Sequence, residues 1–188
     1  MKISYTLVSL LLSVATLNGN AQQEVPNRFK KGSVVLADGS TMNGFIKENI
    51  RSSASVTFLS ADGKKKEYNS SQLASVQFDE TKYLLVGGDF FKILSDGHMM
   101  FLQKSSDVSG KILYNGTEPY LATGTKGKVG DYFLFKAGTK ELKLITKKNF
   151  EELIASSFEN NTAAIDKAKL VKEDFAQLKE AVDIYNKQ

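Results

Sequence analysis

Short apolar runs alternate with pairs of turn-forming residues through most of the chain, from Gly32 to Ile145. Asp-Gly, Asn-Gly and Gly-Gly pairs supply the positive φ angles that tight hairpins require. These pairs and one Ala-Gly pair separate the apolar runs at Asp38-Gly39, Asp62-Gly63, Gly87-Gly88, Asp96-Gly97, Asn115-Gly116 and Ala137-Gly138. The runs leave no room for crossover helices, so the pattern predicts strands that pair mostly antiparallel.

Several of the runs repeat with a period of two, which is typical of strands with one solvated face. Ala74, Val76 and Phe78 share one side of their run, and polar residues occupy the other side. Residues 141–144 show the same alternation, with two leucines on one side. Residues 132–135 are apolar at every position, which predicts a strand in the interior of the sheet.

The spacing of apolar residues becomes helical near the C-terminus. Asn149, followed by Glu151 and Glu152, predicts a helix start, because acidic side chains are favourable near the positive end of the helix dipole. After a polar interruption, a second helix is predicted to carry one apolar stripe of Ile165, Ala168, Val171, Phe175, Leu178, Val182 and Tyr185. We expect this stripe to pack on the sheet, with Phe175 and Leu178 fully buried.

These patterns predict an α+β fold with a dominant antiparallel sheet, curled or closed into a small barrel, and C-terminal helices packed on it. Residues 32–146 form the predicted β domain, and residues 147–188 form a helical segment on the same core. Residues 22–31 are expected to be a flexible lead-in.

The first residues combine a positive start, a short apolar centre and a small-residue exit. Gly19 and Ala21 occupy the two small positions that signal peptidases require. The apolar centre is shorter than the roughly 20 residues of a spanning helix. We therefore expect residues 1–21 to be a signal peptide that is cleaved between Ala21 and Gln22. The mature protein would be exported to the periplasm or the cell exterior, with no transmembrane segment.

The amino-acid composition bears on the cellular compartment of the protein and on the classes of partner that it could bind. The chain has no Cys, which favours bacterial export over the disulfide-forming secretory route of higher cells. Its formal net charge is +4, and its basic runs, such as Lys64–Lys66 and Lys147-Lys148, are short and spread along the chain. Nucleic-acid binders concentrate basic residues on one face. The sequence therefore predicts no nucleic-acid partner.

A glycine-lysine segment at residues 122–129 approaches a phosphate-binding loop. Such a loop needs Ser or Thr after Gly-Lys, because that hydroxyl helps to hold magnesium. Val129 stands there, and the segment lies in a β-rich region with no helix to follow. The sequence favours a mobile surface loop over a nucleotide site.

The candidates for catalysis are few. His98 is the only histidine, and it is expected to be exposed in a hairpin turn because it follows Asp96-Gly97. A zinc site needs about four ligands, and the chain offers no second His and no Cys. No Gly-x-Ser-x-Gly motif accompanies it. A hydrolase that uses paired carboxylates is the alternative that stays open. The acidic residues expected in loops are Asp79, Glu80, Asp89, Asp107, Glu118 and Asp131.

Aromatic residues are concentrated between Gly88 and Ala137. They are Phe90, Phe91, Phe101, Tyr114, Tyr120, Tyr132, Phe133 and Phe135. In strands, such residues mainly build the core and pair across strands. The other interpretation is an exposed aromatic platform for sugars or peptides.

Four segments of the chain resemble a family of uncharacterised exported proteins of the Bacteroidetes type. They are residues 29–35 (FKKGSVV), 38–46 (DGSTMNGFI), 90–97 (FFKILSDG) and the terminal Tyr185-Asn186. The resemblance implies an extracytoplasmic β-rich domain with a helical tail and no known activity. It supplies no catalytic, cofactor-binding or metal-binding residues, and none is assigned from the residues either.

Taken together, the sequence favours a non-enzymatic periplasmic or cell-surface module that binds another protein or a glycan. The alternative function is a hydrolase of envelope or dietary polysaccharides. A third possibility is a purely structural accessory of the outer membrane.

Overall fold

The computed structural model describes residues 25–115, 117–171 and 174–187. Within them the chain is α+β, as predicted, with strands that pair antiparallel. The strands are β1 Lys30–Leu36, β2 Thr41–Asn49, β3 Ser55–Leu59, β4 Lys65–Asn69, β5 Leu73–Phe78, β6 Thr81–Val86, β7 Asp89–Ser95, β8 Met99–Lys104, β9 Ile112–Asn115, β10 Glu118–Leu121, β11 Tyr132–Lys136 and β12 Glu141–Leu144. The helices are α1 Ile50–Ser53, α2 Phe150–Ser157, α3 Thr162–Lys169 and α4 Leu178–Tyr185, with 3₁₀ turns at Ser70–Gln72 and Phe175–Gln177.

Ten of the strands form one sheet in the order β12-β11-β8-β7-β6-β5-β1-β2-β3-β4, and β9 and β10 form a separate pair. The sheet is open, because β12 and β4 are its edges, so the closed barrel that the sequence allowed is wrong. β1 begins at Lys30, two residues before the predicted start of the β domain.

The predicted turn pairs lie between strands that pair with each other. The β6–β7 hairpin turns through Gly87 and Gly88, whose φ angles are +57° and +87°. Two consecutive positive φ angles are characteristic of the type I′ turn, which matches the twist of the flanking strands. The turn pair Asn115-Gly116 lies between β9 and β10, although Gly116 is outside the described residues.

Strand β11 is buried on both faces, as its continuous apolar run predicts. Phe133 and Phe135 pack with Phe91 and Leu102 on one face of the sheet. On the other face, Leu134 joins the apolar side chains of the C-terminal helices. A third cluster lies under β1 to β6 and includes Val108, Leu113 and Ala122 from the connection between β8 and β11. Residues of the β8–β11 connection are therefore part of the hydrophobic core.

The C-terminal stripe is divided between two helices, so the single long helix that the sequence predicts is wrong. α3 ends at Lys169, and α4 begins at Leu178 after a 3₁₀ turn that the Asp174 side chain caps by accepting from Ala176 N at 3.1 Å. α3 and α4 contact each other directly. Folding back lets the small side chains of Ala164 and Ala168 share one core with Leu178, which a straight helix would not allow.

Most of the stripe packs on the sheet, as expected. Leu178 and Val182 are fully buried against a cluster that contains Phe101 of β8. Phe175 is only half-buried and stacks on Phe150 at 5.3 Å between ring centroids, so its predicted full burial is wrong. The position of Phe175 at the start of the last helical segment explains its partial exposure.

The last helix is also tied to the sheet by polar contacts. The Asn186 side chain accepts from Met99 N at 3.0 Å and donates to Met99 O at 2.8 Å. The Ser95 hydroxyl donates to Asp183, which also accepts from Lys179. Burial raises the pKa of Asp183, but these two hydrogen bonds outweigh it and leave the pKa below its ordinary value.

Candidate binding site

The connection between β8 and β11, residues 105–131, is the longest in the described fold. It contains the β9–β10 hairpin, which we call the excursion hairpin. Long connections inside compact domains are usually functional. Two properties of this connection bear on function: the contacts that hold it to the sheet and the surface that it exposes.

A buried ion pair holds the base of the excursion. Lys104, the last residue of β8, places Nζ 3.1 Å from Oδ2 of Asp89, the first residue of β7, and both side chains are fully buried. Lys104 Nζ also donates to Thr125 O at 2.8 Å and to Gly127 O at 3.0 Å. Its three protons therefore all have close acceptors, as a buried ammonium requires.

The Asp89 carboxylate is equally well satisfied. Oδ1 accepts from Val108 N at 2.8 Å, and Oδ2 accepts from both the backbone amide and the hydroxyl of Thr125 at 2.7 Å. Asp89 and Lys104 together fix the start and the end of the excursion to the sheet. The sequence predicts a mobile loop at residues 122–129. The centre of this segment is instead anchored, because Thr125 and Gly127 form hydrogen bonds with the buried ion pair.

The sequence did not predict this pair. In the sequence, nothing distinguishes Asp89 from the other five acidic residues expected in loops, and the predicted site residues do not include Lys104. The available signal was the position of Lys104 at the end of an apolar strand, on the same side as Met100 and Leu102. A lysine in register with core residues needs an internal acceptor.

Two of the other candidate carboxylates lie beside this pair: Asp131, whose backbone O accepts from Lys104 N at 2.9 Å, and Asp107. Asp107 Oδ1 is 3.6 Å from Lys104 Nζ, and hydrogen bonds from Ser109 hold the pKa of this carboxyl below its usual value. Asp79 forms an exposed ion pair with Lys30 at 2.7 Å. Both carboxylate oxygens of Asp89 accept hydrogen bonds inside the protein, and the side chain is fully buried.

The inner face of the excursion hairpin packs on the core. Leu113 of β9 is 7% exposed and joins the cluster under β1 to β6. Tyr114 O accepts from Asn69 Nδ2 at 3.0 Å, which ties β9 to the 3₁₀ turn after β4. The hairpin is therefore held at its base and along one strand.

The outer face of the hairpin is apolar and exposed. Ile112 pairs with Leu121, and Tyr114 pairs with Pro119. Directly opposed residues in an antiparallel pair point to the same side, so these four side chains form one surface. Ile112 is 64% exposed, Tyr114 53% and Leu121 68%. We call these four residues the outer face.

Beside the outer face, a groove of about 470 Å³ runs under β10. It is lined by residues 120–123 and by Ser70, Ser71, Leu73, Leu85, Gly87 and Gly88. Leu121 belongs to both the outer face and the groove. The two features therefore form one continuous surface.

The edge of β10 is unsuited to pairing with another strand. Within the described chain β10 pairs only with β9. Pro119 lies in β10 and has no backbone N–H, so a strand added there would lack one hydrogen bond. This edge is therefore poorly suited to strand addition.

Three further predictions concern His98, the aromatic residues and the signal-peptide cleavage site. His98 is exposed in the β7–β8 turn, as predicted. Of the aromatic residues, Phe90, Phe91 and Phe101 are core residues, as the first interpretation predicts, whereas Tyr114 and Tyr120 are exposed. The platform for sugars or peptides stays a prediction. The predicted cleavage site at Ala21 and Gln22 lies outside the described residues.

Comparison with known protein families, with curated proteins and with solved structures finds no match to this chain. In the described part of the chain, no three His, Cys, Asp or Glu side chains are grouped to hold a metal ion. Across the same residues no helix is long and apolar enough to cross a membrane.

Proposed function

We propose that the protein is an exported, non-enzymatic module that binds another protein through the outer face of the excursion hairpin. The observation that carries this proposal is the exposure of Ile112, Tyr114 and Leu121 on one side of a hairpin that a buried ion pair anchors. Apolar surface that is clustered, rigidly held and exposed typically marks an interaction site.

The chemistry of the outer face favours a protein over a glycan or a lipid surface. Aliphatic side chains and Pro119 dominate it, whereas sugar platforms rely on planar aromatic rings and polar groups. The connection carries balancing charges, with Lys111, Lys126 and Lys128 against Asp107, Glu118 and Asp131. An anionic membrane would require a basic excess. Protein interfaces, in contrast, have centres depleted in charge.

Export is part of the proposal. It is supported by the signal-peptide pattern of residues 1–21, by the absence of Cys and by the resemblance to exported proteins of the Bacteroidetes type. In that setting the module would serve as a subunit or adaptor in the periplasm or at the cell surface.

Selection from a random peptide library displayed on phage tests the binding function. The purified protein should enrich peptides rich in apolar residues, and the Ile112→Ser/Leu121→Ser double variant should weaken their binding at least tenfold. Leu170→Ser is the matched control, because Leu170 is 70% exposed but lies on the helical side. Enriched peptides that bind the double variant as tightly as the wild type would refute the proposal.

A further inference from the structure

The buried ion pair at the base of the excursion holds an amine next to a carboxyl carbon. Lys104 lies opposite Phe91 across β7 and β8, so Asp89, two residues before Phe91, points to the same face of the sheet. Both side chains are fully buried, and Lys104 Nζ lies 3.1 Å from Asp89 Oδ2. That oxygen is bonded to the carbon that an amine would attack. Groups fixed beside each other in this way react as if they were present at very high concentration.

Thr125 supplies two hydrogen-bond donors to the same carboxylate oxygen. Its backbone amide and its hydroxyl both donate to Asp89 Oδ2 at 2.7 Å. When a nitrogen adds to a carboxyl carbon, negative charge develops on the oxygen that is retained, and fixed donors stabilise that charge. The other oxygen, Asp89 Oδ1, accepts from Val108 N at 2.8 Å. The two oxygens are therefore distinguished, with Oδ2 placed to be retained and Oδ1 to be released.

A third ionisable side chain lies beside the pair and reaches the solvent. Asp107 Oδ1 is 3.6 Å from Lys104 Nζ, and the Asp107 side chain is 43% exposed. A carboxylate in this position can take a proton from an amine and return it to a leaving oxygen. The site therefore contains an amine, a carboxyl group, donors for the developing charge and a proton carrier.

The burial of the pair favours its conversion into a neutral group. Two buried ions lose their hydration, and only their mutual attraction and their hydrogen bonds offset that cost. An amide between them carries no charge. Its N–H has acceptors in place, because Thr125 O and Gly127 O already accept from Lys104 Nζ at 2.8 and 3.0 Å. Its carbonyl oxygen would keep the two donors of Thr125.

We propose that Lys104 and Asp89 condense to an isopeptide bond that joins the end of β8 to the start of β7. A proton passes from the ammonium to the carboxylate, which gives a neutral amine and a neutral acid. Nζ then forms a bond to Cγ of Asp89, Asp107 carries a second proton from the nitrogen to Oδ1, and Oδ1 leaves as water. The reaction needs no oxidant and no co-reactant. The chain has no Cys, so this bond would be a cross-link that no disulfide can supply.

Mass spectrometry of tryptic peptides from the purified, denatured protein tests this proposal. Trypsin cleaves after Lys82, Lys92 and Lys111, so the linked protein should give residues 83–92 joined to residues 93–111, with no cleavage after Lys104. The joined peptide should be lighter than the sum of its parts by one water, and fragmentation should place the link between Asp89 and Lys104. Lys30 and Asp79 are the internal control, because they lie 2.7 Å apart but are exposed, and they should stay unlinked.

Unmodified, separate peptides 83–92 and 93–104 from protein kept folded for days would overturn the proposal. A peptide 83–92 that is lighter by one water but not joined to another would also overturn it, because that product is a cyclic imide at Asp89. Asp107→Asn, sampled at intervals after protein synthesis is halted, should form the link at least about tenfold more slowly than the wild type. An unchanged rate would reject Asp107 as the proton carrier. None of these outcomes depends on the binding of a partner.

Discussion

Lys104 Nζ lies 3.1 Å from Asp89 Oδ2 in a site where both side chains are fully buried. Lys104 ends β8 and Asp89 begins β7, and the other hydrogen bonds of their side chains go to the connection that carries the excursion hairpin. One ion pair therefore joins the rigid sheet to the surface that we propose binds a partner. Its loss should affect both stability and binding.

Lys104→Met should destabilise the protein by about 3–5 kcal/mol, because it leaves a buried carboxylate without its counter-charge. Denaturant unfolding monitored by circular dichroism measures this change. Lys64→Met is the control, since Lys64 and its partner Asp62 are exposed, and it should change the unfolding free energy by less than about 0.5 kcal/mol. Equal effects of the two variants would show that the buried pair has no special role.

Leu178→Ala should lower the unfolding free energy by about 2–5 kcal/mol, because Leu178 is fully buried between the helices and the sheet. Phe175→Ala should cost less than a fully buried Phe normally does, since Phe175 is only partly buried. Leu170→Ala should have little effect, because Leu170 is 70% exposed. If the three denaturation midpoints coincide with that of the wild type, α4 is not part of the core.

Ser70→Ala should leave stability unchanged or raise it slightly, because it removes a buried hydroxyl that has no hydrogen-bond partner among the described residues. Ser106→Ala should instead cost about 1–3 kcal/mol, since the Ser106 hydroxyl accepts from Phe90 N at 2.8 Å and that amide would be left unsatisfied. Thermal melts of the two variants provide the comparison. A large loss in Ser70→Ala would indicate that its hydroxyl has a structural role.

Acid should weaken the attachment of α4 through Asp183. The pKa of Asp183 is lower in the folded protein than its ordinary value, so its stabilising contribution is present above that value and is lost as the pH falls through the folded pKa. Asp183→Asn should therefore lower the melting temperature at pH 7, and the difference from wild type should shrink near pH 3. Asp166→Asn, at an exposed pair with Lys169, should show no such trend. A constant difference for Asp183→Asn at both pH values would contradict the assignment.

The main features of the fold follow from local signals in the sequence. Turn pairs such as Asp96-Gly97 and the continuous apolar run of β11 identify strands because backbone conformation and burial depend on nearby residues. The division of the C-terminal stripe was missed because a single period of apolar residues is compatible with one helix or two. Contact between Ala164, Ala168 and the last helix decides that question, and contacts of this kind lie beyond any local pattern.

The candidate site was only partly predictable for the same reason. The aromatic enrichment included Tyr114 and Tyr120, but which tyrosines are exposed depends on the face of the hairpin that packs on the core. The partnership of Asp89 with Lys104 requires the register of β7 against β8.

Photo-crosslinking in the native cell tests the central claim most directly. A photoreactive phenylalanine analogue at position 114 should crosslink the protein to one defined partner protein, and the Ile112→Ser/Leu121→Ser background should abolish that product. The same analogue at position 170, which is exposed on the helical side, should give no such product. Identical products from both positions, or a product at position 114 that survives the double variant, would contradict the assignment of the outer face as the binding surface.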